Sequence, residues 1–480
     1  MNNRLLYILL IITLLSPALF AGWSEPVRLT YRGSEINPQV VARNDTVHVV
    51  WQQLSGAVSY IRSTDNGHTW NEIINLNALG HQGAFVDLTK NNGTLFAGWA
   101  DYPNAGHANI GYSVSLDGLN WSTPSYMLGN NSNFGNPIAA TMSGDSIYGV
   151  YYAYSQDSTG NIPFKFLYSS DAGQTWSNEQ TVAYAMPAYC NGLIISKCFG
   201  ALYIVWNAVP IPESTTYETQ VVISYDGGLT WSPKTFLSQN GGRPAQLACA
   251  SCSEINGFFA VGWMDYNYPG RFYIRITRNL GYTWRPEIQN VTSHYISDPN
   301  LFMIADTLWA TWTDWSYADH WEIGYSKSTD QGQSWSETER ISNTPGNSMT
   351  PWLSYDHGKV HLVWQEDPNP GGRDIYYRHW EPGDGIDEMP DPISTGLLES
   401  YPNPFNSTTI ITYSNIEGGE IQIYDISGRL IRSLLVKEKS EGTVIWDAKD
   451  GLGQPIASGI YFAKSKTSSG FATAKLVHLK

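Results

Sequence analysis

Beyond residue 21 the chain lacks any apolar run long enough to cross a membrane as a helix, so its mature part is expected to carry no membrane span. Charge is sparse as well: Asp, Glu, Lys and Arg make up 15% of the 480 residues, and the net balance of -15 includes no basic cluster. Phosphate backbones and anionic membranes need a concentrated basic surface, which argues against a nucleic-acid partner. Cysteine is rarer still. Cys190, Cys198, Cys249 and Cys252 fall in one neighbourhood, which in an exported chain favours one or two disulfides with three possible connectivities. Zinc is the weaker reading of that group, because no histidine stands beside it at ligand spacing. No cofactor is indicated.

Trp, Tyr and Phe, by contrast, reach 13% and glycine numbers 44, a composition that suits short aromatic strands joined by tight turns rather than long helices. A chain of this length calls for several domains or a repeat array. Residues 1–21 place Arg4 before the apolar run Leu5–Leu15 and then Ser16, Pro17 and small residues to Ala21, the pattern of a cleaved signal peptide, with an uncleaved anchor as the alternative.

Self-similarity is the strongest signal in the chain. STDNGHTW from Ser63 recurs as SSDAGQTW from Ser169, SYDGGLTW from Ser224, TRNLGYTW from Thr277 and STDQGQSW from Ser328, with a shorter SLDGLNW from Ser115. The closing residues Trp70, Trp121, Trp176, Trp231, Trp284 and Trp335 are 51, 55, 55, 53 and 51 residues apart, so each repeat is one supersecondary unit of about fifty residues. Ser or Thr and then Asp accept backbone N–H groups of a tight connection, Gly supplies a positive φ, and Trp opens the next strand with a ring that packs between units. The motif resembles the Asp box, or BNR repeat, of the sialidase-like β-propellers. Asn279 replaces its aspartate in one copy and the copy at Asp117 is a residue short, so those two turns are expected to be looser.

A second recurring strand ends in Trp51, Trp99, Tyr152, Trp206, Trp263, Trp312 and Trp364, and a third, led by pairs such as Asn37-Pro38 and Asp298-Pro299, precedes it as the innermost strand. Seven aromatic-terminated strands require seven units, although only six boxes exist. Trp23-Ser24-Glu25-Pro26 resembles the outer-strand starts Trp121-Ser122 and Trp335-Ser336 yet has no box before it, so residues 23–29 are expected to complete the last blade and shut the ring. The fold expected is all-β: a seven-bladed propeller over 22–380, with six blades as the alternative, and then a small Ig-like β-sandwich.

Between them, EPGDGIDEMPDPISTG after Trp380 reads as a linker over 381–398. Residues 399–480 carry YPNPFN at Tyr401, Tyr424-Asp425-Ile426-Ser427-Gly428-Arg429, Trp446-Asp447-Ala448-Lys449-Asp450 and a final basic strand. This module resembles the type A sorting domain of type IX secretion cargo, with Ala448 where that family often has Gly. The resemblance implies the type IX secretion machinery as a partner, export across an outer membrane and a secreted or cell-surface location.

Chemistry is expected on the loops that follow the seven aromatic residues, on the face away from the boxes. Those loops pair carboxylates with aromatics: Asp101-Tyr102, Asp265-Tyr266, Asp314-Trp315 with Tyr317, and Glu366-Asp367. Carboxylates that accept sugar hydroxyls beside flat rings suit a glycan, and paired carboxylates also perform glycoside hydrolysis, so Asp101, Asp265, Asp314 and Glu366 are the catalytic candidates. The same residues are also ordinary turn formers. Sialidase chemistry further demands converging arginines, and the resemblance places the first in an Arg-Ile-Pro tripeptide that this chain lacks. Arg243-Pro244-Ala245 comes nearest, and Arg243, Arg271 and Arg373, with Arg32, spread over several blades. Two readings follow: a propeller that binds or cleaves extracellular glycans or glycoproteins, and a non-catalytic surface propeller for protein binding or adhesion.

Overall fold

The computed structural model describes residues 22–381 and 397–479 apart from 92, 104–108, 129–133, 154–159, 186–189, 210–216, 239–244, 254–256, 266–270, 289–290, 293, 318–319, 345, 357, 368–371, 402–403, 415, 417–418, 426–427, 437–440 and 468–469. The expected signal peptide and nearly all of the expected linker lie outside the described residues, as do Arg243 and Tyr266. Every regular element among the described residues is a strand.

Residues 22–381 form seven antiparallel sheets, numbered here in chain order. Sheet 1 runs Glu35–Arg43, Thr46–Gln53, Val58–Ser63, Ile74–Asn75. Sheet 2 runs Gln82–Asn91, Thr94–Tyr102, Asn109–Ser115, Ser125–Tyr126, and sheet 3 runs Phe134–Ser143, Ser146–Ala153, Ile162–Ser169, Gln180–Ala185. Sheet 4 runs Cys190–Cys198, Ala201–Ala208, Glu218–Ser224, Thr235–Phe236, and sheet 5 has Ala245–Cys252, Phe259–Asp265 and Arg271–Thr277. Sheet 6 runs Ile296–Ile304, Thr307–Asp314, Glu322–Ser328, Glu339–Arg340, and sheet 7 has Asn347–Asp356, Lys359–Asp367 and Asp374–Glu381. Successive first strands lie side by side, and that of sheet 7 lies against that of sheet 1.

The N-terminus completes sheet 7: Gly22–Trp23 and Val27–Arg28 pair with Asp374–Glu381, in the registers Trp23↔Trp380 and Val27↔Tyr377. Trp23 then packs edge-on to Tyr325 at 5.4 Å, as Trp70 does to Tyr377 at 5.0 Å and Trp121 to Tyr60 at 4.9 Å. It fills the place a box tryptophan fills elsewhere.

Each first strand shifts register at one point, between Ile36 and Gln39 in sheet 1 and at the matching place in the other six. Asn37, Phe85, Leu247, Asp298 and Thr350 stand there at positive φ. The Asn-Pro and Asp-Pro pairs therefore mark a bulge inside the innermost strand rather than its start. Proline has no N–H to give a ladder, and a bulge is where none is needed. Just past the bulge, side chains stitch neighbouring sheets: Gln39 Oε1 accepts Leu88 N at 2.8 Å, Asn300 Oδ1 accepts Leu353 N at 3.0 Å, and Ser354 Oγ accepts Ala42 N at 2.9 Å across the closure. Cys198 and Cys252, at the ends of the first strands of sheets 4 and 5, are joined by a disulfide, while Cys249 keeps a buried thiol.

The boxes behave as their turn chemistry dictates. Ser63 Oγ accepts Gly67 N at 2.8 Å, and Asp65 Oδ1 accepts Thr69 N at 2.8 Å. The two aberrant copies are not looser. Asn279 Oδ1 accepts Thr283 N at 2.9 Å, and the short copy closes by Leu119 N and Asn120 N, each 2.8 Å from Asp117 Oδ1. An amide oxygen serves this turn as well as a carboxylate, and a residue can be dropped because both N–H groups reach one oxygen.

Near the C-terminus, Leu397–Tyr401, Thr409–Ser414 and Glu441–Trp446 form one sheet, and Leu430–Leu435, Glu420–Asp425, Gly459–Thr467 and Gly470–His478 another. They share an apolar core around Trp446, Phe405, Ile411, Ile423 and Leu476. Ala448 stands at φ 52°, a conformation that costs an alanine and not a glycine, which accounts for the glycine the sorting-domain pattern prefers there.

Candidate functional site on the loop face of sheets 6 and 7

The two ends of the sheets are chemically different. Box turns join the turns between first and second strands, through Asn66 N to Asp45 O at 2.9 Å and Gln331 N to Asp306 O at 2.9 Å. The ends of the second strands lie at the opposite face, and there all four candidate carboxylates stand: Asp101 in sheet 2, Asp265 in sheet 5, Asp314 in sheet 6 and Glu366 in sheet 7.

None of the four projects into solvent, since their exposures run from 0 to 2%. The cause is a local staple. Residues i and i+2 of a strand share a face, and three of the buried indoles donate to the carboxylate two residues on: Trp99 to Asp101 at 3.0 Å, Trp312 to Asp314 at 3.2 Å, Trp364 to Glu366 at 3.1 Å. Glycine makes room for two of these rings, because a Cβ at Gly111 would lie 2.4 Å from Trp99 Nε1 and one at Gly324 2.3 Å from Trp312 Nε1. Trp263 Nε1 has no such partner among the described residues, and Asp265 stands opposite Arg271 in the strand register.

The remaining lone pairs are taken from the segment that enters the first strand. His81 Nδ1 lies 2.7 Å from Asp101 Oδ2, and His294 Nδ1 lies 2.7 Å from Asp314 Oδ2, each histidine twenty residues before its partner. Thr344 bonds Glu366 in the same place.

Sheets 6 and 7 concentrate these groups. Glu322, cross-strand from Asp314, is fully buried between Arg340, His320 and Ser342. Ser348 Oγ lies 2.6 Å from Glu366 Oε2 and 3.4 Å from Glu322 Oε2, so one hydroxyl serves two buried carboxylates. Asp374, cross-strand from Glu366, binds Arg28 and Thr30 as Glu322 binds Arg340 and Ser342. Next to it Glu35 holds Ser34 N at 2.8 Å with one oxygen while the other is buried without a partner among the described residues. Burial first, with the Asp374 charge adding to it, raises the Glu35 carboxyl above the ordinary range.

Aromatic rings cluster beside the ends of the same strands. The Trp315 and Trp321 rings stack at 4.2 Å, Tyr295 meets Trp315 edge-on at 5.4 Å, and Trp315 remains 38% exposed with its N–H on Ser297 Oγ at 2.9 Å. The Arg340 guanidinium lies 4.8 Å from the Tyr317 ring centre. Burial first, and then the Asp314 charge, raises the Tyr317 phenol above its ordinary value.

The fold thus brings Asp314, Trp315, Tyr317 and Glu366 into one region. Asp101 and Tyr102 sit apart in sheet 2, and Arg271 opens the third strand of sheet 5. Arg373 is 3.9 Å from Asp367, and among the described residues Arg28 and Arg340 bind buried carboxylates. Both had a legible signal, Arg28-Leu29-Thr30 and Arg340-Ile341-Ser342, in which Ser or Thr two residues on caps the same carboxylate.

Residues 399–479 match the secretion system C-terminal sorting domain. Over 209 residues the chain is 27% identical to a sialidase of Bacteroides fragilis, an overlap of 40% of this chain and 36% of the relative. The chain therefore spans just over a third of that curated relative's length. Among solved structures, an ulvan lyase of a polysaccharide lyase family superposes with a TM-score of 0.53 at 11% identity, covering 73% of this chain and 95% of the lyase. Trypanosoma rangeli sialidase gives a TM-score of 0.45 at 10% identity, covering 94% and 89%. The lyase shares the fold of the sheet array. Among the described residues no helix is long and apolar enough to cross a membrane. With a sorting domain at residues 399–479, the protein is an exported one, destined for the cell surface or the medium.

Proposed function

We propose that the protein is a seven-bladed propeller of the sialidase-like kind that binds an extracellular glycan on the loop face of sheets 6 and 7, without turning it over. On this reading residues 22–380 are the propeller, 381–398 a linker and 399–480 an Ig-like sorting module, with 1–21 removed on export. The observation that carries the glycan reading is the exposed Trp315 ring, stacked on Trp321 and next in the chain to Asp314, which pairs with His294. A flat apolar ring beside fixed polar groups is suited to a pyranose, whose face is apolar and whose edge carries hydroxyls.

Binding rather than hydrolysis is supported by the state of the carboxylates. An acid/base pair must reach the scissile oxygen, whereas Asp314 and Glu366 are buried and bonded to indole, imidazole and hydroxyl groups. The sialidase relative supports the choice of sugar as ligand class. A glycan array probed with the mature chain, followed by analysis of the bound sugars for released product, tests the reading. Retention with no product is expected. Turnover would overturn the non-catalytic part, and binding to proteins alone would overturn the glycan part.

A further inference from the structure

We propose that His68, His379 and Glu381 form a divalent-cation site that bridges the closure between sheet 7 and sheet 1. His68 belongs to the box turn between the third and fourth strands of sheet 1, while His379 and Glu381 stand two residues apart on the third strand of sheet 7 and so share a face. One donor atom from each lies within 4.8 Å of the others. His379 Nε2 is 3.4 Å from Glu381 Oε1, close to the edge of about 3.3 Å that a tetrahedral zinc site with bonds near 2.0 Å requires. The His68 ring stands at 83° to that of His379 with centres 5.4 Å apart, and being exposed it can turn to close the remaining gap.

His379 is 6% exposed and its Nδ1 is buried with no hydrogen-bond partner among the described residues, so Nε2, which faces Glu381, is the ring nitrogen that the site would use. The N-terminal segment fixes the backbone that carries this ring: Ser24 N donates to His379 O at 2.8 Å, and His379 N donates to Ser24 Oγ at 3.1 Å.

The arrangement is not a by-product of the repeat. Where sheet 1 supplies His68, the other full-length boxes have Gln174, Leu229, Tyr282 and Gln333, and the residue of sheet 1 that matches His379 across the strand pair is Arg62. Two imidazoles and one carboxylate, with the fourth position open to water, suit Zn²⁺ or a similar first-row dication rather than Ca²⁺ or Mg²⁺, which take oxygen ligands. Lys359 Nζ, 2.7 Å from Glu381 Oε1, supplies a competing positive charge that an entering dication must displace. A bound cation would tie the first sheet to the last at the seam where the ring closes, and would stabilise the folded state by mass action.

The test uses the untagged mature chain, stripped with chelator and titrated with Co²⁺, followed by its visible absorption, and with Zn²⁺, followed by calorimetry and melting temperature. One equivalent is expected to bind and raise the melting temperature. His68→Ala and Glu381→Gln should each weaken binding at least ten-fold, and Lys359→Gln should strengthen it. His68 is exposed, so its substitution leaves the fold intact. Absence of saturable binding, or unchanged affinity in both ligand variants, would overturn the proposal.

Discussion

Asp314 accepts four hydrogen bonds in a fully buried position: from His294 Nδ1 at 2.7 Å, Trp312 Nε1 at 3.2 Å, Ser316 N at 2.9 Å and Ser316 Oγ at 2.5 Å. A carboxylate so engaged has a structural role. Replacing Asp314 by Asn puts a donor where an acceptor is needed, and Ala orphans an indole, an imidazole and a backbone N–H at once. Asp314→Ala should cost about 2–4 kcal/mol of folding free energy and Asp314→Asn roughly half of that, read from denaturant midpoints at constant m-value. A loss of glycan turnover with unchanged stability would contradict the structural role.

Ser63 is buried, and its hydroxyl accepts Gly67 N and Asp65 N while donating to Asp65 Oδ1. Ser63→Ala leaves a buried N–H without an acceptor and should lower stability by about 1–3 kcal/mol. Ligand binding on the opposite face should not change.

The pH dependence has a definite sign. His48 donates through Nδ1 to Tyr60 Oη at 2.7 Å, since the tyrosine hydroxyl is itself committed to Gly118 O at 2.8 Å, and His361 and Tyr377 repeat the arrangement toward Asn66 O. Burial lowers His48 to about 3 and His361 well below its ordinary value. The unfolded chain therefore binds more protons than the folded one below pH 6.5, and stability falls as pH drops through that range toward 3. Between pH 7 and pH 5 the loss should be about 2 kcal/mol for His48 and of the same sign for His361, and His48→Gln with His361→Gln should flatten the slope. Asp65 and Asp171, held down to about 2 by hydrogen bonds from Thr69 and Thr175, keep their contribution above pH 4 and lose it as pH falls through 2.

The repeat was legible because turn chemistry is local. Ser63, Asp65, Gly67 and Trp70 each answer a need within eight residues of chain, and Trp23 could be matched to Trp121 and Trp335 by its neighbours alone. The carboxylates Asp101, Asp265, Asp314 and Glu366 were visible too, but their partners were not. Whether Asp314 meets solvent or His294 depends on a register set twenty residues away, and the shared hydroxyl of Ser348 joins two sheets. Glu322 and Glu35 carried no flag, because one buried acid at a strand end looks like any exposed one until the packing is known.

On the proposed reading Trp315 and Trp321 form the glycan platform. Calorimetric titration of the mature chain with the best array ligand, compared with Trp315→Ala and Trp321→Ala, tests it most directly. Each variant should melt within a few degrees of the parent and lose at least ten-fold in affinity, about 1.4 kcal/mol. Unchanged affinity in both variants would place the ligand elsewhere and contradict the account.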